Sequence, residues 1–239
     1  MEKFACVTGA DRGVGLELAN QLLARGYKVF AGRILKDWKL LDDLKEKYKE
    51  KLYILPLDIS SDSSARGAAE LIASNTSELE LLINNGAILG DIKGTILDKL
   101  DFEEMQRVFN VTALGALRVS NALAPLLLKG DRRLIVNISS EAGSINDSYR
   151  KSWFAYCMSK AALNMESVII HNQLKEMGGQ VLVIHPGWVK TYMQGKLDEA
   201  ADLTPEDSAK HIVEVIFDHK RYFADKPAFV DYLGNKMEW

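Results

Sequence analysis

Short, nearly continuous apolar runs alternate along the chain with longer stretches whose apolar positions recur every three or four residues. The first pattern marks strands buried on both faces, the second amphipathic helices. "KFACVTG" (3–9), "YKVFAGR" (27–33), "LYILPLD" (52–58), "LELLINN" (79–85), "RLIVNIS" (133–139) and "QVLVIHPG" (180–187) predict six strands, and 228–231 a short last one. Helices are expected at 14–26, 37–50, 62–76, 204–217 and, as two longer elements, 103–128 and 154–177. Gly26 is a good C-terminal stop for the first, Pro56 ends the third strand, and Thr204 followed by Pro205 opens the last helix. Strand and helix follow each other at short intervals, with no Gly-, Pro- or Ser-rich linker and no repeat. The fold class predicted is α/β: one doubly wound Rossmann domain over residues 1–239, with about seven parallel strands and helices on both faces.

Composition narrows the class further. With 239 residues, 47% of them apolar, the chain can bury a sizeable core. A formal net charge of −3 gives no footprint for nucleic acid. Two cysteines, Cys6 and Cys157, do not make a disulfide framework and suit a reducing compartment. "MEKFACVTGA" runs straight into an apolar stretch without a leader pattern, and no apolar run approaches the roughly 20 residues of a membrane helix. The expectation is a cytoplasmic protein with neither membrane nor nucleic-acid partner and no metal.

"TGADRGVG" (8–15) lies between the first strand and the first helix, where a parallel sheet presents its ligand. Glycines there let the backbone approach a pyrophosphate, and the helix start offers free N–H groups and its positive dipole end. Gly9, Asp11, Arg12, Gly13, Val14 and Gly15 are therefore candidate cofactor contacts. An NAD site places an acid at the end of the second strand; here Gly32 and Arg33 stand there, with Arg12 close by. Two arginines able to clamp a 2′-phosphate, with no competing acid, predict NADP(H), with Lys36 as a weaker third candidate.

Four Tyr-x-x-x-Lys pairs occur: Tyr156/Lys160, Tyr192/Lys196, Tyr222/Lys226 and Tyr232/Lys236. About one would arise by chance, so context has to choose. Gly195 interrupts the second, Pro227 follows the third, and the fourth contains Gly234. Only "FAYCMSKAALN" lies in an unbroken helical pattern, which sets Tyr156 and Lys160 one turn apart. Carbonyl reduction needs a hydride at carbon and a proton at oxygen. A free tyrosine titrates near pH 10, too high to suit neutral conditions. The lysine charge and that of an oxidised nicotinamide would both favour phenolate, so Tyr156 is expected to have a lowered pKa.

The order of these segments resembles the short-chain dehydrogenase/reductase family along nearly the whole chain. "TGADRGVG" resembles its T-G-x-x-x-G-x-G loop, "LDIS" (57–60) its adenine-contacting segment, and "INNGA" (83–87) its N-N-A-G, with the last two residues exchanged. "RVFNVTALGAL" (107–117), "VNISSEAGS" (136–144), "YCMSK" and "HPGWVKT" (185–191) complete the set. The resemblance implies a catalytic set of Asn110, Ser140, Tyr156 and Lys160. In it Ser140 orients the substrate oxygen, Asn110 holds a water linked to Lys160, and Lys160 also bonds the nicotinamide ribose. Ser139 and Ser144 are the other serines of that segment. The resemblance also implies cofactor contacts at Asp58, Ile59, Asn85, Gly86, Pro186, Gly187, Val189 and Thr191, and a homodimer or homotetramer built on the helices at 103–128 and 154–177. The stretch between Ser140 and Tyr156 carries a short insertion relative to the family pattern, in "INDSYRKSWF".

Residues flanking these segments are candidates for the substrate wall: Glu141, Trp153, Phe154, Trp188 and Tyr192, with Leu89 and Met193 nearby. Their mostly apolar character suits a ketone or aldehyde with apolar substituents, and the ordering resembles the sniffer-like and C-factor-like carbonyl reductases. The expected function is NADPH-dependent, reversible reduction of a small carbonyl compound to an alcohol. The alternative is a nucleotide-binding regulatory or signalling protein of the same fold.

Overall fold

A computed structural model describes residues 2–239; Met1, the first residue of the expected domain, lies outside the described residues. Seven strands form one parallel sheet: β1 (Phe4–Val7), β2 (Lys28–Arg33), β3 (Leu52–Pro56), β4 (Leu81–Asn84), β5 (Leu134–Ile138), β6 (Gln180–His185) and β7 (Ala228–Asp231). Their order is β3-β2-β1-β4-β5-β6-β7. The winding reverses between β1 and β4, and the carboxyl ends of those two strands open the crevice in which doubly wound sheets bind ligands.

Each strand feeds both faces. Ala5, Val7, Val29, Ala31, Leu81, Ile83, Leu134 and Val136 pack with α1 (Gly13–Ala24), α2 (Leu40–Tyr48) and α7 (Pro205–Phe217) in one core. The intervening residues Phe4, Cys6, Phe30, Leu82 and Ile135 pack with α3 (Asp62–Ala73), α5 (Gly115–Leu127) and the end of α6 (Phe154–Leu174) in the other. Burial on both faces is why these strands read as unbroken apolar runs. Cys6 sits fully inside the second core, where burial pushes its thiol up to about 12 and leaves it inert as a nucleophile.

Two polar residues interrupt that pattern. Asn84, at the end of β4, donates to Asn137 Oδ1 in β5 at 2.8 Å and to Ser120 Oγ in α5 at 2.9 Å. Asn137 in turn donates to Ser167 Oγ in α6 at 2.7 Å. This buried ladder ties the two central strands to the two helices that cover them.

The expected helix over 103–128 is not continuous. α4 (Phe102–Phe109) gives way to a π-helical turn at Asn110–Leu114 before α5 begins. Asn110 donates to Ser60 O at 3.3 Å and accepts from Arg118 at 3.0 Å. Gly115 brings the helix so near the loop after β3 that a Cβ on it would stand 3.0 Å from Ile59. The widened turn reconciles this contact with a helix that continues on both sides, and such bulges cluster at functional sites.

α7 begins as expected: Thr204 Oγ1 accepts from Asp207 N at 3.1 Å, and Pro205 occupies the first turn. Replacing Thr204 by Ala removes that cap and is expected to cost about 1 kcal/mol. A lowered urea midpoint with an unchanged slope would register it.

Candidate active site

The glycine loop is locked to the end of β4 by direct bonds. Thr8 Oγ1 accepts from the backbone N–H groups of Asn85 and Gly86, both at 3.0 Å. The Asn85 side chain donates back to Thr8 O at 3.1 Å and to Gly9 O at 3.0 Å. Backbone then meets backbone: a Cβ on Gly9 would lie 2.8 Å from Gly86 Cα, and one on Gly15 would lie 2.2 Å from Gly9 O. Gly9 also adopts a φ of +61°, which favours glycine. Asn85 and Gly86 thus hold the loop, and the exchanged order of "NNGA" keeps glycine where the approach is closest.

α1 starts at Gly13 with no side-chain cap and no acid in its first turn. By contrast, α3, α4 and α7 are capped by Ser61, Asp101 and Thr204. The unpaired N–H groups beginning at Val14 can therefore receive an anionic group. The loop after β6 closes the cleft from the far side, with Thr191 in contact range of Gly13. That loop is held by Pro186 O accepting from Ser208, by Gly187 at a φ of +82°, and by Val189 bridged to Leu203.

The end of β2 differs from the sequence expectation of an acid-free phosphate site. Arg33 lies 2.7 Å from Asp42 in α2, so its charge is already balanced. The buried Asp11 carboxylate also faces this region, accepting from Ile34 N at 3.0 Å and Leu35 N at 2.8 Å. Burial raises the Asp11 pKa, against those bonds and the Arg33 charge. Asp11 therefore shapes the β2–α2 loop through its side chain. Arg12 stacks over Trp38 at 4.6 Å and also faces Tyr192, at 5.8 Å. Tyr192 packs edge-on against Trp38 at 4.9 Å. Trp188 is half exposed and donates to Asp198 at 2.9 Å within the loop. Asp58 folds back on Ser60 N and Oγ, and Ile59 supports Gly86.

Tyr156 and Lys160 are both buried, on the face of α6 turned to β5. Lys160 Nζ donates to Ile138 O at 2.7 Å and lies 5.6 Å from the Tyr156 ring centre. The three serines separate cleanly. Ser139 donates to Asn164 at 2.7 Å, and Ser144 accepts from Asp147 N at 3.1 Å. Ser140, buried beside the Tyr156 phenol, donates to Glu141 and accepts from Ala142 N at 3.1 Å. Leu89, Ala142 and Tyr156 form a small apolar cluster with Trp153 and Cys157 at its edge; Phe154 opens α6. Trp153 has a φ of 69°, an uncommon conformation for a bulky side chain, and packs edge-on against Tyr156 at 6.1 Å. Asn110 gives its direct side-chain bonds to Ser60 O and Arg118.

The electrostatics also depart from expectation. Tyr156 is pushed up from its ordinary value, by burial first and by the Glu141 charge next, with Ser140 and Arg150 opposing. Burial likewise draws Lys160 down to about 7. Two groups that the sequence left unassigned, Arg150 and His185, face Glu141. Arg150, from the inserted stretch, pairs with its carboxylate. Glu141 N donates to His185 Nδ1 at 3.3 Å, which makes Nδ1 the unprotonated nitrogen of a neutral ring. Burial lowers the His185 pKa in keeping with this. A cation within an insertion next to an acid at the serine was the available sequence signal for Arg150.

Glu166, farther along α6, has a buried Oε1 without a partner. Burial raises its pKa from 4.5 to about 8, against the Lys160 charge. The folded state binds this proton more tightly than the unfolded chain, so the contribution is fully present below pH 4.5 and is lost as pH climbs to about 8. Glu166→Gln is expected to flatten the stability profile across that window, measured by urea midpoints.

Among the described residues no cluster of His, Cys, Asp and Glu could hold a metal ion, and no helix is long and apolar enough to cross a membrane. Residues 3–202 match the family model for short chain dehydrogenase. C-signal from Myxococcus xanthus is 34% identical over 69% of this chain and 95% of its own. The NADPH-bound carbonyl reductase from chicken fatty liver is 32% identical, with a TM-score of 0.88 over 100% of this chain and 94% of that one. The carbonyl reductase Sniffer of D. melanogaster is 25% identical, with a TM-score of 0.87 over 100% of both chains.

Proposed function

We propose that this chain, which belongs to the short chain dehydrogenase family and is an NAD(P)-dependent oxidoreductase, uses NADPH to reduce a ketone or aldehyde to the alcohol, reversibly. The observation that carries this reading is the convergence of Ser140, Tyr156 and Lys160 below a glycine cleft that can seat a dinucleotide. The NADPH named with the chicken carbonyl reductase supports the choice of cofactor.

The backbone of the Gly9–Gly15 loop and the open start of α1 would hold the pyrophosphate. Asp58 and Ile59 would flank the base. Asn85 and Gly86 with the Pro186–Thr191 loop would line the nicotinamide side. Lys160 would bond the ribose, and the bound cofactor supplies the hydride. Tyr156 gives its proton to the substrate oxygen as negative charge develops there, and Ser140 orients that oxygen. Asn110 serves as a positioning residue that fixes the loop after β3. Arg12 and Arg33 would share the 2′-phosphate; the guanidinium of Arg33 retains donors beyond the one given to Asp42. Glu141, Trp153, Phe154 and Trp188 remain the substrate wall.

Exposed apolar side chains on α4–α6, among them Leu117, Met158, Met165 and Ile169, support the homodimer or homotetramer. Two free cysteines support a cytoplasmic setting. The similarity to C-signal favours a second reading, a nucleotide-binding signalling protein.

Tyr156→Phe separates the two readings. It is expected to lower NADPH oxidation on a carbonyl panel by at least about a hundredfold while leaving NADPH binding intact. A biological effect that survives this substitution would support the signalling reading, and a wild-type protein inactive on every carbonyl would reject the reductase. Arg33→Asp and Arg12→Gln are each expected to shrink the preference for NADPH over NADH, read as the ratio of kcat/KM values.

A further inference from the structure

Ser140 donates its proton to Glu141, its immediate neighbour in sequence, rather than pointing it into the cleft. The Glu141 carboxylate in turn receives Arg150, whose guanidinium lies 4.9 Å above the Trp153 ring and is largely shielded. The loop that carries Arg150 is anchored at both ends: Asn146 N donates to Trp239 O at 3.0 Å, and Ser152 Oγ donates to Ile92 O at 2.9 Å. An anion and a cation on separate segments are thus fixed against one serine and one tyrosine.

We propose that Glu141 and Arg150 are an opposed pair of positioning residues that orient the Ser140 hydroxyl and bias Tyr156 toward its protonated form, so that the site favours carbonyl reduction over alcohol oxidation. The inference rests on the reductase reading above and adds a directional control to it. An anion beside a phenol penalises phenolate; a cation favours it. Glu141 is ionised in this setting: burial opposes its charge, but the Ser140 bond and the Arg150 charge and hydrogen bond hold its pKa below the ordinary range. Tyr156 is raised accordingly, after burial, by Glu141, and lowered by Arg150. The other groups that face this pair are Tyr149 beside Arg150, Cys157 and Lys160 on α6 and His185 at the end of β6, with Asp231 at the end of β7 acting on His185. His185 is neutral by its hydrogen bond, and Cys157 has its own pKa raised, first by burial. Glu141 and Arg150, paired with each other, are therefore the opposed charges set against the phenol from outside α6.

With Glu141 holding the serine proton, Tyr156 is the group left to deliver a proton to the substrate oxygen. A substrate carbonyl must draw the Ser140 proton away from Glu141 before Ser140 can bond to it. That competition weakens ground-state binding at the oxygen, and it relaxes as negative charge grows there in the transition state.

Two measurements test the proposal. The first needs no turnover: carbon-13 NMR of protein labelled at the glutamate side chains, with the Glu141 signal assigned by Glu141→Gln. Glu141 is expected to titrate below ordinary glutamates and to return toward them in Ser140→Ala and in Arg150→Gln. A Glu141 that titrates normally and ignores both substitutions overturns the inference, whatever the enzyme reduces. The second is the pH profile of kcat/KM for reduction of a carbonyl by NADPH. Glu141→Gln is expected to move the alkaline limb down by about one pH unit, Arg150→Gln to move it up, and Glu141→Asp to restore it. Limbs that stay fixed while rates fall, or that move the same way in both variants, overturn the inference and leave the reductase reading standing. Absence of carbonyl turnover in the wild type, with the NMR network intact, rejects the reductase reading itself and the directional role with it. Melting temperatures of each variant distinguish these shifts from loss of fold.

Discussion

The molecule is organised around a backbone-to-backbone contact at the point where the winding of its sheet reverses. Gly9 meets Gly86 and Gly15 meets the Gly9 carbonyl at separations that no Cβ would permit, and Thr8 and Asn85 close the junction with four hydrogen bonds. From that contact follow the placement of α1 over the cleft and the seat for a pyrophosphate. Apolar burial alone, being non-directional, could not set such a separation; directional bonds between fixed backbone groups can.

Much of this was legible in the sequence. Apolar runs gave the strands because both faces of the sheet are covered. Glycine spacing marked the cleft because glycine is the residue that backbone contact requires. The unbroken helical pattern around Tyr156 separated it from three chance pairs. Information carried by pairing between distant segments was not legible. Nothing around Arg33 announces Asp42, nine positions on, as its partner, and nothing around Tyr192 announces Trp38. The π turn at Asn110 escaped for a related reason: its amide bonds to Ser60, fifty positions earlier in the chain.

The expectation for Tyr156 shows where such reasoning misleads. A lysine one turn away suggests a lowered phenol, yet the burial that brings the two together raises the phenol and lowers the lysine. A charge that acts on a phenol has to be stabilised itself, and here the better-supported charges are Glu141 and Arg150, each satisfied by the other. The local electrostatics are thus set less by the helix that carries the tyrosine than by the turn after β5 and the inserted loop.

The buried ladder of Asn84, Asn137, Ser120 and Ser167 has a consequence for how the chain finds its register. A strand that is apolar on both faces can slide past its neighbour by one residue and still bury apolar side chains, so hydrophobic alternation does not specify the alignment of β4 with β5. The asparagines do. They face each other across the two strands only in the observed register, with Asn84 opposite Asn137. A slip would strand several amides and hydroxyls in a dry interior, at a cost of about 1–3 kcal/mol for each group left unpaired. The polar residues at the centre of this sheet thus act as an alignment mark, and it is read once, as the two middle strands come together.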